Sequence, residues 1–291
     1  RKKKAERTEA EENKVNQLKQ LMNDNAQQQK ILLQEHLSNV SSKILSSSFR
    51  FNLTPDASRD PQKPLYSIGA TAEEFFAMQV LCRNVKKLFK ITMSSRHEIL
   101  SQLKMLLRED KSRYYIIRTD VCHCFESIPH DKLFEYLEGN NLLDVKSKSL
   151  LRGLIRNEFE TKNLRPLIST KKTGIPRGCA ISSLLSEFYL SKIDELLRHT
   201  LPGIVFLARY VDDIIIVVHP DLDDEHWWSL DDYVKVLTDV YIRHGLTIHT
   251  PTDGTGKCYT YDSKDTKGLK FDLLGYTIQS LSLIHISEPT R

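Results

Sequence analysis

Apolar positions along the chain follow two regimes, and the change between them falls near residue 114. Before it the spacing is helical. Val15, Leu18 and Met22, then Leu33, Leu37, Val40 and Ile44, recur every three to four residues, which predicts a helix within residues 1–45. Its apolar stripe is thin, so the helix is expected to fray or to need a partner. Serine and proline between Ser41 and Pro64 break the pattern and read as loop. Helical spacing resumes from about Thr71 to Lys90, and again from Ser94 or Ser95 to Arg108, where Ile99, Leu103, Leu106 and Leu107 form one face.

From Tyr114 the run YYIIRTDV is rich in aromatic and branched residues and predicts a buried strand. Pro129 then opens a helix over DKLFEYLE. Ile181 to Leu197 is helical by its apolar spacing, and Phe206 to Val218 reads as two short strands meeting at an acidic tip. Tyr233, Val236, Leu237, Val240 and Tyr241 mark another helix, which Gly245 stops. LTIH and FDLLGYTI supply further strands. The order strand, helix, helix, hairpin, helix, strand predicts an α+β domain with helices on one side of an antiparallel sheet.

Composition adds little to this picture. Hydrophobic residues at 40% and charged residues at 27% are ordinary for a soluble folded protein, and no apolar stretch has transmembrane length. Five cysteines, an odd count without a CxxC pair, together with the lack of an apolar leader or transmembrane-length stretch, suggest a reducing cytoplasm and no membrane partner. The Cys122, His123, Cys124 run invites zinc, yet successive strand positions face opposite ways and disfavour convergence on one ion. Charge is more informative. The formal net charge is only +4, but Arg1 to Lys4, Lys86, Lys87, Lys90, Arg96, Lys104 and Arg108 all precede the first acidic motif. That layout suits a phosphate backbone and equally a solvated helix face.

The chemistry is concentrated in RYVDDIIIVV. Asp212 and Asp213 are adjacent acids between apolar strands, whereas the pairs Asp223–Asp224 and Asp231–Asp232 lie in polar surroundings and read as turns. Two like charges about 4 Å apart repel by roughly 4 kcal/mol at an effective dielectric near 20, so a compensating cation is expected. Alternation along a strand makes Asp212 the acid that bears most directly on that cation, unless the tip turns both inward. Asp120, at the end of YYIIRTDV, supplies a third carboxylate. Three carboxylates from two strand ends make an oxygen-rich site suited to magnesium, with manganese as a substitute, and such a site can run in-line phosphoryl transfer with two ions.

Asp120 with Phe125, then GIPRGCAISSLLSEFYLSKID, then RYVDDIIIVV, then FDLLGYTI resembles the successive core motifs of reverse transcriptases over roughly residues 95–280. The resemblance implies a right-hand polymerase fold: a polar helical extension at 1–45, fingers at 46–113, and a palm at 114–280 with a fingers insertion about 139–173. It makes Asp120, Asp212 and Asp213 metal ligands, with the carbonyl of Val121 as an extra one. Phe125 then matches the aromatic gate that excludes a ribose 2′-hydroxyl and favours dNTPs. Gly174, Pro176 and Gly178 match the loop under the template and incoming nucleotide, where glycine permits close backbone approach. Arg177 departs from the glutamine common at that place. Arg96 and Lys104 are candidates for phosphate contact, Tyr210 for the nucleotide, and Lys257, in competition with Lys264 and Lys267, for protonating pyrophosphate.

The form GIPRG…ISS…LSEFYL is closest to prokaryotic abortive-infection and defence-associated reverse transcriptases, which implies an RNA template, a DNA primer or product, and a role in phage defence. Template-independent or protein-primed synthesis is the alternative within that group. A non-catalytic RNA-binding module with a polymerase fold is the rival class. Trp227 and Trp228 can stack on bases or dock their loop, and His219 with His226 can bind metal. A start at Arg1 suggests a fragment, and LSLIHISEPTR at 281–291 resembles a translated sequencing adapter that displaces the native continuation and the thumb.

Overall fold

The computed structural model describes residues 8–56, 65–69, 71–109, 112–139, 143–156, 172–220, 228–265 and 268–279. The adapter-like tail, Trp227, His226, Lys267 and the Asp223–Asp224 pair lie outside them, as does most of the proposed insertion.

Helix α1 (Glu9–Leu45) is continuous over 37 residues, but Val40 is its only buried side chain. Leu18, Met22, Leu33 and Leu37 are exposed, and the C-terminal end alone rests on the domain, with Val40 and Ile44 against the core. After a two-residue pairing of β1 (Thr54–Pro55) with β2 (Tyr66–Ser67), α2 (Ala72–Leu88) and α3 (Arg96–Glu109) follow the predicted spans closely. Then come β3 (Tyr115–Asp120), the short α4 (Cys124–Ser127), α5 (His130–Glu138), α6 (Val145–Arg156), α7 (Ala180–Thr200), the hairpin β4 (Ile204–Tyr210) and β5 (Asp213–Val218), and α8 (Leu230–Arg243). The last elements are β6 (Tyr259–Asp262), β7 (Lys270–Leu273) and β8 (Tyr276–Gln279).

The central sheet has the order β4-β5-β3-β6, with every pairing antiparallel. Its alternate residues enter two different cores. Tyr115, Ile117, Ile214, Ile216 and Val218 join the larger one with α7 and α8, while Tyr114, Ile116, Ile215 and Val217 join a second with α3 and the β7–β8 hairpin. Helices therefore cover both faces, not one as the element order predicted. The reason is legible in IIIVV: a central strand that does not alternate has apolar side chains on each face, and both must leave water. Truncating a fully buried member such as Ile216 to alanine is expected to cost about 2–5 kcal/mol.

Three local expectations differ from the structure. LTIH forms no ladder strand: Ile248 makes only an isolated bridge to Val121. FDLLGYTI is a hairpin of two strands, because Leu274 and Gly275 both take positive φ and turn the chain within it. The edge strand β6 escapes the pattern, since YTYD is short and sits among glycine, lysine and aspartate. By contrast, Gly245 stops α8 as expected. The Leu246 N–H bonds the Tyr241 carbonyl and the Gly245 N–H that of Ile242, and a Cβ at Gly245 would meet Pro129 at 2.5 Å.

Candidate functional site

The register of β3 against β5 runs unbroken from Tyr115↔Val218 to Asp120↔Asp213. Directly opposed residues share a face, with Cβ atoms about 4.5–5.5 Å apart, so Asp120 and Asp213 are neighbours by register. Asp212 is the second residue of the two-residue β4–β5 turn, and its carbonyl accepts from the Val121 N–H at 3.0 Å. The place opposite Asp120 thus belongs to Asp213, while Asp212 stands in the turn, outside the ladder. Asp213 joins the three acids, for its carboxyl feels the charges of both Asp212 and Asp120.

Basic side chains stand against this cluster. Arg118 donates from Nη2 to Asp213 Oδ1 at 2.8 Å, and Lys257 Nζ lies 3.2 Å from Asp120 Oδ2. His249 Nε2 is 3.8 Å from Asp120 Oδ1, while its Nδ1 pairs with Asp253 Oδ2 at 2.7 Å. Burial raises the Asp213 pKa above the usual carboxylate range; Arg118 pulls it down, and the neighbouring acids push it up again. Asp120 Oδ1 is buried and has no hydrogen-bond partner. An unmet buried acceptor costs about 1–3 kcal/mol, and an ionised one more, so this oxygen suits a cation. The carboxylates of Asp212 and Asp213 offer further oxygen donors at this corner, which fits a hard divalent ion rather than a soft one. Among the described residues no three His, Cys, Asp or Glu side chains are arranged to hold an ion. Two carboxylates are engaged by Arg118 and Lys257, partners that a divalent ion would have to displace.

The loop before α7 packs under α4. Phe125 is half-buried, its carbonyl accepts from the Ile175 N–H at 2.7 Å, and the Arg177 guanidinium carbon lies 5.8 Å from its ring centre. Arg177 also pairs with Glu126 at 3.1 Å. Pro176 is buried, its carbonyl accepting from the Ser182 hydroxyl at 2.5 Å. The glycines do permit close approach, but within the chain itself. A Cβ on Gly174 would stand 3.1 Å from the Glu126 carbonyl oxygen, and one on Gly178 only 2.6 Å from that of Tyr66. Both residues have positive φ, so glycine is required there by geometry before any ligand is considered.

The remaining candidates divide. Arg96, exposed at the start of α3, lies over the ring of Tyr210 at 4.7 Å, and Tyr210 is the register partner of Asp213, so both stand at the acidic corner. Lys257 reaches Asp120, whereas the Lys264 N–H turns toward Asp262. Lys104 is exposed along α3. Trp228 packs on Tyr233 with ring centres 5.2 Å apart, which is the loop-docking role. Asp232 caps α8 through Ser229.

The protein-family model described as reverse transcriptase (RNA-dependent DNA polymerase) matches residues 70–278. The chain belongs to the reverse transcriptase family. Similar curated proteins are fungal. An uncharacterized 91 kDa protein in the cob intron of Schizosaccharomyces pombe is 26% identical over 183 residues, covering 55% of this chain and 21% of that protein. A putative COX1/OXI3 intron 2 protein of Saccharomyces cerevisiae is 32% identical over 85 residues, covering 29% and 10%. The matched stretch therefore spans only about a fifth of one of these relatives and a tenth of the other. Apo telomerase from Candida tropicalis superposes with a TM-score of 0.53 at 12% identity, covering 84% of this chain and 49% of the other, a likeness of fold.

Within this reverse transcriptase chain, sequence reading passed over the polar residues that support the acids. Arg209, with its side chain 2% exposed, bonds both Glu187 oxygens and Asp194 Oδ2, each at 2.8 Å, and donates to the Val211 carbonyl at 3.0 Å. Arg118 and His249 are likewise new. A signal existed for two of them: an arginine inside an apolar strand, as in YYIIRTDV and FLARYV, demands a buried partner.

Proposed function

We propose that this chain is the fingers and palm of an RNA-directed DNA polymerase that adds dNTPs to a 3′-hydroxyl. The observation that carries the reading is the meeting of Asp120 and Asp213 across one rung of the sheet, with Asp212 in the adjoining turn and a buried Asp120 oxygen that accepts no hydrogen bond. Asp120, Asp212 and Asp213 hold two magnesium ions in this reading, with the Val121 carbonyl as a further ligand. Ions held there would lower the pKa of the attacking hydroxyl and neutralise the leaving pyrophosphate. The chain's own residues do the rest. Phe125 closes the sugar pocket, Arg96 beside Tyr210 meets triphosphate, and Lys257, released from Asp120, gives a proton to the leaving group. The Gly174 to Gly178 loop, with Pro176 and Arg177, supports template and nucleotide from below.

The finer assignment to phage defence rests on the GIPRG…ISS…LSEFYL pattern alone, whereas the curated relatives are intron-borne; recovery of the genomic neighbourhood separates the two. No helix among the described residues is long and apolar enough to cross a membrane. A second reading, the nucleic-acid-binding module without turnover, draws support from the pairing of Asp213 with Arg118 and Asp120 with Lys257. Purified chain with magnesium, an RNA template, a DNA primer and labelled dNTPs decides between them. Extension that vanishes in Asp212→Ala supports the polymerase; salt-sensitive RNA binding without extension supports the module.

A further inference from the structure

We infer that Arg209 is the positioning residue of the acidic turn: held by Glu187 and Asp194 of α7, its guanidinium grips the Val211 carbonyl and so sets where Asp212 and Asp213 stand. The inference rests on the reading of those acids as ion-holding. Three observations carry it. The guanidinium is shared out fully, Nε to Asp194, Nη2 to Glu187, and Nη1 to Glu187 and Val211 together. The residue it grips is strained: Val211 has φ 60, a left-handed conformation that a β-branched side chain adopts only where its surroundings impose it. The anchor is rigid, since Glu187 and Asp194 stand two turns apart on the 21-residue α7.

The consequence is a mechanical link. Helix α7 begins directly after the Gly174 to Gly178 loop, so the helix that carries the nucleotide-facing loop also clamps the hairpin that carries two of the acids. Burial works against the Arg209 charge, yet the bonds and fields of Glu187 and Asp194 overcome it and raise its pKa. The cation is therefore permanent.

Two variants test the role: Arg209→Lys, which keeps the charge but loses the fork, and the triple change Arg209→Met, Glu187→Leu, Asp194→Leu, which replaces the buried ions by apolar groups. Circular dichroism reports folding, loss of the free Mn²⁺ electron-paramagnetic signal reports ion binding, and primer extension reports turnover. In folded variants we expect Mn²⁺ affinity to fall ~10-fold and kcat ~10- to 100-fold, with the dNTP KM nearly unchanged. Folded variants with wild-type Mn²⁺ affinity and kcat overturn the inference. So does failure of both to fold, which makes the network a stability element with no separate task at the turn. A wild-type chain that neither binds Mn²⁺ nor extends primer, alongside an equally inert Asp212→Ala, removes the polymerase reading and this inference with it.

Discussion

Among the described residues two hairpins close with two-residue turns; in each the first turn residue is a non-glycine at positive φ, and they differ at the second. In β7–β8 the turn is Leu274–Gly275, with φ values of 54 and 86. Leucine takes the strain in exchange for burial in the second core, and glycine relieves the other position, where a Cβ would meet nothing within 4 Å. In β4–β5 the turn is Val211–Asp212, with φ 60 at the valine and no glycine at all. Arg209 restrains that turn from below, and Arg118 holds Asp213 beside it. The β7–β8 turn relieves its second position with glycine, whereas in β4–β5 the one strained residue, Val211, is held by the buried Arg209 network and the second position is left to a carboxylate.

The largest effect expected on this contrast is at the acids themselves. Asp212→Ala should reduce primer extension by about 10³-fold or more, because several kcal/mol of charge stabilisation is lost with one ligand. Asp213→Asn should also abolish extension, yet raise the melting temperature near pH 7. Burial holds that carboxyl above its ordinary pKa, so the folded state disfavours the charge that function needs. An Asn variant that melts lower than wild type would show that the Arg118 pair outweighs burial.

Next comes Phe125→Ala, which should raise incorporation of ribonucleotides relative to deoxyribonucleotides by about 10- to 100-fold, measured by single-nucleotide extension. An unchanged ratio would leave Phe125 as a packing residue under Arg177. The turns themselves come third. Gly275→Val should cost about 1–3 kcal/mol by denaturant titration through local backbone strain, since no neighbour lies within 4 Å of a Cβ there, while Val211→Gly should be neutral or stabilising and lower kcat. Equal stability loss in both would erase the distinction between them.

The smallest effect is at the far end of the sheet, where Arg113 bonds Asp262 at 2.8 Å. Burial opposes the Asp262 charge, but the Arg113 bond and the Lys264 N–H prevail and lower the pKa. The resulting stability is present above the unfolded value, near 3.9, and is lost as pH falls through the lower folded one. For this part-exposed pair it should amount to no more than about 1 kcal/mol, and Asp262→Asn should flatten that section of the pH–stability curve.

Much of this was legible from spacing. Helices α2, α3, α7 and α8 and strands β3, β4 and β5 declare themselves because periodicity records burial, and burial is what those residues share. The three acids were legible too, since carboxylates inside apolar runs need a reason. What escaped detection was pairing: β6 is too short to show a period, and Ile248 looks like a strand residue but finds only one bridge.

By itself the chain's order of residues determined where strands and helices form and which carboxylates interrupt apolar surroundings, because those are local properties of side chains. Tertiary structure decided that Asp213 rather than Asp212 faces Asp120, that α3 seals the second face of the sheet, and that Arg209 reaches across to α7. Register, coverage and buried ion pairs all join residues distant in sequence, and no local pattern carries that information.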